Sequence, residues 1–328
     1  MEDRFIKQCP ILPSNQTPLG ALPARFRRQR LLVVGCGDVG QRTLPLLRGR
    51  VTVLALTSSP TKRDSFRAAG VTPLLGDLDQ PRTLARLAGL ASRVLHLAPP
   101  QADGAALGRA HSGHDLRTLA LVQALRRRTL PSVLVYGSTS GVYGDCGGEF
   151  VSETRAANAV TARARKRIDA ENTVRQFGRA TLRRVSILRI PGIYAPDRVD
   201  GTPEARLRTG MPVLDAADDV FTNHIHANDL ARACVAALWR GKPQRVFNIN
   251  DDTALLMGDY FDMAADLYGL PRPPRLSRAV AEQQISALRL SFMSESRRMN
   301  NDRMKRELRL RLRFPTVREG LSPVARQG

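Results

Sequence analysis

The stretch Leu31-Leu32-Val33-Val34-Gly35-Cys36-Gly37-Asp38-Val39-Gly40 decides the fold. Its four leading apolar residues predict a buried strand, and a helix-capable segment at residues 41–47 follows the glycines. The spacing Gly-x-Gly-x-x-Gly is typical of a strand-to-helix turn that binds the pyrophosphate of a dinucleotide. In such a turn Gly35 makes the tight bend, Gly37 lets the backbone approach the phosphates, and Gly40 allows the helix to pack closely on the strand.

Apolar runs and helix-like segments alternate after this stretch. Short strands are predicted at residues 50–56, 71–75, 93–98 and 132–136, and helices at residues 65–69, 83–90 and 114–128. The strands recur at intervals of roughly 20–30 residues, which is typical of parallel strands joined by crossover helices. The chain is therefore predicted to have an α/β fold with a doubly wound parallel (Rossmann) sheet.

Three regions are expected along the chain. Residues 1–30 contain four prolines and end in a basic run, which predicts an irregular leader. Residues 31–185 are predicted to form the dinucleotide-binding domain. Residues 186–328 are predicted to form mostly a smaller substrate-binding subdomain, with elements around 182–190 and 223–250 returning to the sheet.

The chain is strongly basic, with 51 lysines and arginines against 30 acidic residues and a formal net charge of +21. Arginine clusters lie at residues 25–30, 126–128, 163–167 and 297–313. Such a surface suits a polyanion, but aromatic residues make up only 5% of the chain and no nucleic-acid-binding motif is present, which disfavours nucleic acid. The other interpretation is an arginine-biased surface together with a site for a phosphorylated cofactor.

Composition and sequence pattern also indicate the cellular compartment of the protein. A hydrophobic content of 42% indicates a globular protein, and no apolar run approaches the roughly 20 residues needed to span a bilayer. The N-terminus lacks the apolar core of a secretory signal. Four scattered cysteines, Cys9, Cys36, Cys146 and Cys234, have neither disulfide nor metal-binding spacing. We therefore expect a cytoplasmic protein with no membrane association and no metal site.

The end of the second predicted strand bears on cofactor choice. A carboxylate there would accept hydrogen bonds from the adenosine ribose and favour NAD. This chain instead has Thr57, Ser58 and Ser59, followed by Lys62 and Arg63. Hydroxyls and cations suit a 2′-phosphate, so NADP is the predicted cofactor and NAD the alternative. A polar helix start with ordinary surface charge would explain the same residues without a phosphate.

Several motifs occur in order over roughly residues 31–321. They are the glycine stretch, Gly76-Asp77-Leu78, His96-Leu97-Ala98, Ser138-Thr139-Ser140-Gly141-Val142-Tyr143-Gly144, Leu188-Arg189-Ile190-Pro191-Gly192-Ile193-Tyr194, residues 223–231 and Val246-Phe247-Asn248-Ile249. Together these motifs resemble the extended short-chain dehydrogenases/reductases of the NAD(P)-dependent epimerase/dehydratase superfamily. The closing pattern at residues 295–321 is similar to an atypical subgroup of that family. The resemblance implies an NAD(P)-binding oxidoreductase with a small-molecule substrate.

The resemblance also implies the cofactor contacts. Asp77 is placed to accept a hydrogen bond from the adenine amino group, and Pro191 and Ile193 belong to the segment that passes the nicotinamide. The full predicted set is Gly35, Gly37, Asp38, Val39, Gly40, Thr57, Ser58, Arg63, Asp77, Leu78, Leu97, Ala98, Arg167, Pro191 and Ile193.

The catalytic motif departs from the family pattern. Counting back from Ala170-Glu171 places Arg163 at the position of the family tyrosine and Arg167 at that of the lysine. The glycine loop also reads GxGxxG where extended members usually have GxxGxxG. An arginine side chain is a poor general acid or base near pH 7, because its pKa exceeds about 12. Arg167 would hold the ribose or a phosphate, and Arg163 would stabilise an oxyanion or bind an anionic substrate.

Two further side chains are candidates for the chemistry. Thr139 matches the family serine or threonine that orients the substrate. Tyr143, four residues later, is either the proton carrier or a wall of the substrate pocket. Arg206 and Arg208 are expected to face the substrate and to pair with its carboxylate or phosphate.

A histidine-rich segment offers a choice between a metal site and a helix start. His224, His226 and Asp229 lie within six residues, so chelation must be considered. The resemblance instead assigns the segment to a motif that leads into a helix at residues 230–238 capped by Asn228-Asp229. No metal is predicted.

Three functional hypotheses follow. The first is an NADP-preferring oxidoreductase or epimerase-like enzyme acting on a small, anionic, hydroxyl- or carbonyl-bearing substrate. The second is a catalytically silent NAD(P)-binding sensor or regulatory scaffold, and the third is a polyanion-binding protein. A homodimer through helices at 114–128 and 163–177 is one expectation for assembly, and a monomer kept apart by exposed arginines is the other.

Overall fold

The computed structural model describes residues 29–101, 113–198 and 200–322 of the 328-residue chain. Apart from Gln29 and Arg30, the predicted leader lies outside these described residues, as does Cys9. Arg30 is the first residue of the first strand. Within the described ranges no helix combines the length and apolar character needed to cross a membrane.

The strands are short and are numbered in chain order. They are β1 Arg30–Val34, β2 Thr52–Thr57, β3 Thr72–Leu75, β4 Arg93–His96, β5 Val133–Thr139, β6 Phe150–Val151, β7 Arg184–Ile190, β8 Gly192–Tyr194, β9 Val213–Leu214, β10 Phe221–Thr222, β11 His224–His226, β12 Arg245–Asn248, β13 Leu255–Leu256, β14 Arg275–Leu276 and β15 Arg298–Met299.

The helices are numbered in the same way. They are α1 Asp38–Leu47, α2 Arg63–Ala68, α3 Leu116–Leu125, α4 Ala162–Thr181, α5 Glu204–Arg208, α6 Ala227–Arg240, α7 Met257–Tyr268, α8 Arg278–Gln284, α9 Ala287–Leu290, α10 Asp302–Glu307 and α11 Val317–Leu321. The described residues also form 3₁₀ segments at Pro60–Lys62, Pro81–Leu87 and Ser140–Tyr143.

Seven of the described strands form one parallel sheet in the order β12-β7-β5-β4-β1-β2-β3. The chain moves outward in one direction from β1 to β3 and in the other from β4 to β12, so the order reverses between β1 and β4. This confirms the predicted doubly wound α/β fold. In such sheets ligands bind beyond the carboxyl ends of the strands at the point of reversal.

Alternate residues of β1 enter different cores. Leu31 and Val33 face the core under α1, α2 and α6, whereas Leu32 and Val34 face the core under α3 and α4. This alternation follows from the two-residue period of a strand, and both faces must be apolar because helices cover both sides. We call the sheet and these helices the sheet lobe.

A separate core forms the C-terminal lobe. It is built mainly from α5, α7, α8 and α11, and its buried members include Tyr194, Phe261 and Leu321. The chain then returns to the sheet lobe, where Met304 and Leu308 are fully buried in the first of the two sheet cores. The C-terminal segment therefore ties the two lobes together.

A buried carboxylate anchors α4 to the sheet. Glu171, 2% exposed, accepts hydrogen bonds from Ser138 Oγ at 2.7 Å, Arg189 Nη2 at 2.9 Å and Arg175 Nη2 at 3.1 Å. Arg189 is itself only 3% exposed. A charge removed from water in this way needs its counter-charge.

Replacing Glu171 by glutamine should therefore destabilise the protein by about 3–5 kcal/mol, since the Arg189 guanidinium would stay buried without a negative partner. Urea denaturation followed by circular dichroism measures the effect. The matched control is Asp64→Asn, whose carboxylate pairs with Arg67 at 2.8 Å on the surface. Its loss should cost no more than about 1 kcal/mol; equal losses in both variants would contradict the buried-charge argument.

Candidate functional site

The turn between β1 and α1 requires glycine at its first position. Gly35 has a φ of +83°, and a Cβ added there would lie 2.3 Å from the backbone nitrogen of Ala98. Val34 O just before it accepts hydrogen bonds from the backbone nitrogens of Leu97 at 2.7 Å and Ala98 at 3.1 Å. Gly35 thus permits the ends of β1 and β4 to touch.

Gly37 opens the turn toward solvent. It is the N-cap of α1, is exposed, and has no atom within 4 Å of the position a Cβ would take. The first backbone N–H groups of a helix have no partners within the helix and carry its positive dipole end. Open space beside such a helix end fits the pyrophosphate of a dinucleotide.

Gly40 lies on the packed side of the same turn. A Cβ there would meet Gly35 O at 3.2 Å and Cys36 Sγ at 3.4 Å, so the helix runs close over the strand end. Gly35 and Gly40 therefore have the packing roles predicted for them, and Gly37 leaves the open space that its predicted role requires.

A cleft of about 350 Å³ lies beyond the carboxyl ends of β1 to β4. The predicted cofactor residues that line it are Gly35, Gly37, Thr57, Ser58, Asp77, Leu78, Leu97 and Ala98. Its other lining residues are Val34, Cys36, Leu56, Lys62, Phe66, Gly76, Pro99 and Arg117. The cleft matches the place expected for the adenosine half of a dinucleotide.

Of the two cations after β2, Lys62 is the one that lines the cleft. Arg63 starts α2, is exposed, and is not among the lining residues. Burial raises the pKa of the neighbouring Cys36 thiol to about 11, and the positive charge of Lys62 acts in the opposite direction. Lys62, rather than the predicted Arg63, is therefore placed to meet a negative group in the cleft.

An ion pair that the sequence did not reveal bridges the cleft wall. Arg117 donates from Nε and Nη2 to the two carboxylate oxygens of Asp79, at 2.8 and 2.5 Å, and from Nη1 to Pro99 O at 3.1 Å. The bidentate contact with Arg117 lowers the pKa of Asp79. The partners are 38 residues apart, so no local pattern signals the pair.

The end of β5 brings two predicted residues together. Thr139 caps the Ser140–Tyr143 turn, and its Oγ1 accepts from Gly141 N at 3.3 Å. Arg167 donates from Nη1 to Gly137 O at 2.8 Å and to Tyr136 Oη at 3.1 Å. Both side chains thus sit at the strand end where the reacting parts of cofactor and substrate are expected to meet.

Tyr143 is packed inside the protein. It is 1% exposed, and its hydroxyl donates to Asn248 Oδ1 at 2.7 Å. The Arg189 guanidinium carbon lies 4.6 Å from its ring centre, and burial raises the pKa of the phenol. This geometry favours the packing interpretation over that of a proton carrier.

The remaining cofactor candidates lie farther along the same edge. Asp38 accepts from Arg42 Nε at 2.9 Å and Arg198 Nε at 3.1 Å, and Arg198 also donates to Ile193 O at 2.8 Å. Asp38 therefore connects α1 to the segment after β8. Val39 and Ile193 are half-buried and pack against the first sheet core. Pro191 is half-buried in the link between β7 and β8.

The other arginine candidates differ in what they contact. Arg163 is exposed, and its guanidinium carbon lies 4.4 Å from the ring centre of Phe292. Arg206 stacks on Phe261 at 4.3 Å. Arg208 is exposed and bonds to Glu204 at 2.8 Å, so its charge is neutralised on its own helix.

The histidine segment is structural. His226, not Asn228-Asp229, caps α6, since its Nδ1 accepts from Asn228 N at 3.2 Å and the helix begins at Ala227. Asp229 instead accepts from the backbone nitrogens of Arg313 at 2.8 Å and Phe314 at 2.9 Å. The sequence prediction of the cap was wrong because this tertiary contact takes the Asp229 carboxylate.

Aromatic packing accounts for both histidine rings. His224 stacks on Tyr260 at 4.3 Å and His226 on Phe314 at 3.8 Å. Burial lowers the pKa of each to about 4, so both rings are neutral at pH 7. In the part of the chain that the structure describes, no three His, Cys, Asp or Glu side chains converge as a metal site would need.

Comparison with solved structures shows several proteins of the same architecture. A functionally unknown conserved protein from Silicibacter pomeroyi is 27% identical, with a TM-score of 0.73 over 91% of this chain and 99% of its own. UDP-glucose 4-epimerase from Thermotoga maritima, solved with UDP-glucose, is 18% identical with a TM-score of 0.71, over 89% of this chain and 96% of its own.

A third structure is UDP-glucuronic acid 4-epimerase from Bacillus cereus in complex with NAD. It is 18% identical, with a TM-score of 0.69 over 89% of this chain and 96% of its own. Comparison with curated proteins gives no significant match.

The model of one protein family matches more than half of the chain. It spans residues 31–250, from the first residue of the glycine stretch to two residues past β12. The match covers the cleft, Thr139, Arg163 and Arg167. The chain belongs to the NAD dependent epimerase/dehydratase family.

Proposed function

We propose that this protein is an NAD(P)-dependent oxidoreductase or epimerase-like enzyme that acts on a small hydroxyl- or carbonyl-bearing substrate. The observation that carries the proposal is the open space at Gly37, beside the free N–H groups of α1 and at the head of the cleft. Family membership and the NAD-bound epimerase from Bacillus cereus support a nicotinamide cofactor.

Different residues of the cleft would contact different parts of the cofactor. The first N–H groups of α1 would bind the pyrophosphate, and Asp77 would accept from the adenine amino group. Thr57, Ser58 and Lys62 would surround the adenosine ribose, where two hydroxyls and an ammonium group suit a 2′-phosphate. We therefore propose NADP as the preferred cofactor.

The reacting end has charge-stabilising groups but no phenol–lysine pair. When bound, the cofactor supplies the site that gives or takes a hydride. Thr139 would hold the substrate oxygen by a hydrogen bond, and Arg167, fixed by Gly137 O, would stabilise negative charge nearby. Because an arginine keeps its proton at pH 7 and Tyr143 is buried, a bound water is the proposed proton carrier.

A non-catalytic role is the second candidate, and a specific observation favours it. Tyr143, in the turn after Thr139, donates its hydroxyl hydrogen bond to Asn248, and arginines occupy the positions of the family tyrosine and lysine. A protein that kept the cleft and lost proton transfer would act as an NAD(P)-binding sensor or scaffold.

The cofactor proposal predicts the effect of filling the space at Gly37. Gly37→Val should abolish uptake of NADPH and NADH, because the added side chain projects where the pyrophosphate would lie. Titration of cofactor fluorescence against the purified protein measures this. The thermal melting curve should not change, since no atom lies within 4 Å of the new Cβ. Undiminished uptake by the variant, or none by the wild type, would refute the proposal.

Cofactor preference should depend on Lys62. Lys62→Ala should weaken NADPH binding about tenfold, which is ~1.4 kcal/mol, and leave NADH binding unchanged, because only the former carries a 2′-phosphate. Arg63→Ala is the matched control, as that side chain is outside the cleft lining. If Lys62→Ala weakens both cofactors equally, Lys62 does not discriminate between them.

Hydride transfer distinguishes the enzyme from the scaffold. With a panel of carbonyl substrates, Thr139→Ala should lower turnover by roughly a hundredfold, in the range for a lost transition-state hydrogen bond. Tyr143→Phe should retain turnover and lose about 1–3 kcal/mol of stability, since Asn248 Oδ1 loses its donor. A large loss of turnover in Tyr143→Phe would restore the phenol as proton carrier, and a wild type that oxidises no NADPH supports the scaffold.

A further inference from the structure

The edge of the sheet opposite the cofactor cleft carries a concentration of positive charge. The parallel strands start at this edge and the crossover helices end there, because each helix returns the chain to the start of a further strand. Four of the strands, β1, β4, β7 and β12, begin with an arginine: Arg30, Arg93, Arg184 and Arg245. In the sheet order each of these starts lies one or two strands from the next. Burial, followed by the nearby charge of Arg184, lowers the pKa of the Arg93 guanidinium.

The helix ends bring further arginines to the same edge. They lie within residues 48–50 after α1, 126–128 after α3 and 179–183 at the end of α4, and all of them are exposed. The structure gives none of them an acidic partner among its described residues. We call these three segments, together with Arg30, Arg93, Arg184 and residues 239–242 after α6, the basal face.

Two large apolar side chains are exposed within the basal face. Leu182 is 91% exposed and is followed directly by Arg183. Trp239 is 36% exposed, and the Arg93 guanidinium carbon lies 4.9 Å from its ring centre. Both side chains therefore present apolar surface to solvent in the midst of positive charge.

Neither packing nor local conformation accounts for the leucine. Leu182 is the C-cap of α4 and has a left-handed backbone, with a φ of 54°. Glycine is the usual residue in this conformation, because any Cβ is strained there. A bulky apolar side chain that is strained and also left in water contributes nothing to the fold, so its place suggests contact with a partner.

An apolar-lined cavity lies at the same edge. It has a volume of about 500 Å³ and is formed between the end of α1 and the link from α2 to β3. Leu44, Val51 and Val71 line it, together with Arg48 of the basal face. The basal face thus combines exposed cations with apolar groups at several points.

We propose that the basal face binds the surface of a membrane that contains anionic phospholipids. The arginines would lie against the lipid phosphates, and Leu182 and Trp239 would enter the interface between headgroups and acyl chains. Each cation near an anionic leaflet adds to the attraction, and tryptophan and leucine favour the interface. The cofactor cleft, at the opposite edge of the sheet, would stay open to water. The proposal therefore does not depend on which cofactor or substrate the cleft binds.

The helix dipole explains only part of this charge. It favours cations near helix C-termini, but it does not account for Arg30 and Arg184 at strand starts or for Leu182 in water. Acidic residues do not offset the charge on two of these helices. Asp169 and Glu171 of α4 and Asp229 of α6 lie in the first half of each helix, toward the opposite edge of the sheet.

A bilayer fits the basal face better than a nucleic acid does. A nucleic acid would match the positive charge through its phosphates but offers no apolar medium for Leu182. A lipid interface accepts both the charged and the apolar groups. The sequence predicted no membrane association, because the residues of this face come from separate parts of the chain and meet only in the folded sheet lobe.

Trp239 is the only tryptophan of the chain, so its fluorescence reports on this face alone. The full chain is titrated with vesicles of phosphatidylcholine and with vesicles of equal parts phosphatidylcholine and phosphatidylglycerol. Only the anionic vesicles should shift the Trp239 emission to shorter wavelength, and brominated acyl chains in them should quench it. If the protein sediments with the anionic vesicles while the emission and its quenching do not change, another face binds them and the proposal is wrong.

Substitutions test the two kinds of contact separately. Leu182→Gly should weaken partitioning into anionic vesicles about tenfold, from the loss of one buried leucine side chain. Its melting temperature should not fall, because glycine adopts the left-handed conformation without strain. Arg127→Gln combined with Arg183→Gln should weaken partitioning at least tenfold, since two cations leave the membrane surface.

The matched control removes the same charge from the opposite edge. Arg82→Gln combined with Arg165→Gln replaces two exposed arginines at the beginnings of the Pro81–Leu87 segment and α4, and should change partitioning less than twofold. An equal loss in this control would mean that only the net charge of +21 attracts the vesicles, which would overturn the proposal. Binding of a DNA duplex without binding of anionic vesicles would overturn it as well.

Discussion

The contact between the end of β1 and the end of β4 is the constraint on which the rest of the structure depends. Val34 O accepts two backbone hydrogen bonds from Leu97 and Ala98, the residues that follow β4. Gly35 then passes so close to Ala98 that no side chain would fit. The sheet order reverses between these two strands. Because the chain leaves them in opposite directions, a cleft opens above the contact, and α1 points its N-terminus into it.

A chain of buried polar contacts holds the side chains that follow Thr139 at the end of β5. Glu171 holds Arg189, which lies against the Tyr143 ring, and Tyr143 donates to Asn248 on the last strand of the sheet. These contacts hold the turn after Thr139 in place. They also engage the Tyr143 hydroxyl in a hydrogen bond to Asn248. Near Thr139 the structure therefore has the Arg167 guanidinium, which suits negative charge, whereas the Tyr143 hydroxyl is already bonded within the fold.

Part of the basic composition is explained by specific contacts within the fold. Many arginines bind carboxylates within the fold; examples are Arg42 with Asp38 and Asp197, Arg117 with Asp79, Arg245 with Glu307, and Arg275 with Asp262. Such pairs fasten helices and returning segments to each other. Arg163 and Arg206 differ because they lie against the rings of Phe292 and Phe261 rather than against acids.

The sequence by itself determined the features that local pattern encodes: the strand–glycine–helix unit at residues 31–47 and the alternation that gives a doubly wound sheet. Only the tertiary structure decided that Lys62 rather than Arg63 lines the cleft, that Asp79 binds Arg117, that Tyr143 is buried, and that the Asp229 carboxylate binds the chain 84 residues later instead of capping its own helix. Periodicity and turn chemistry act over a few residues and can be read from neighbours in the chain. The direction of one side chain, and the partner it meets across the fold, depend on how distant elements pack.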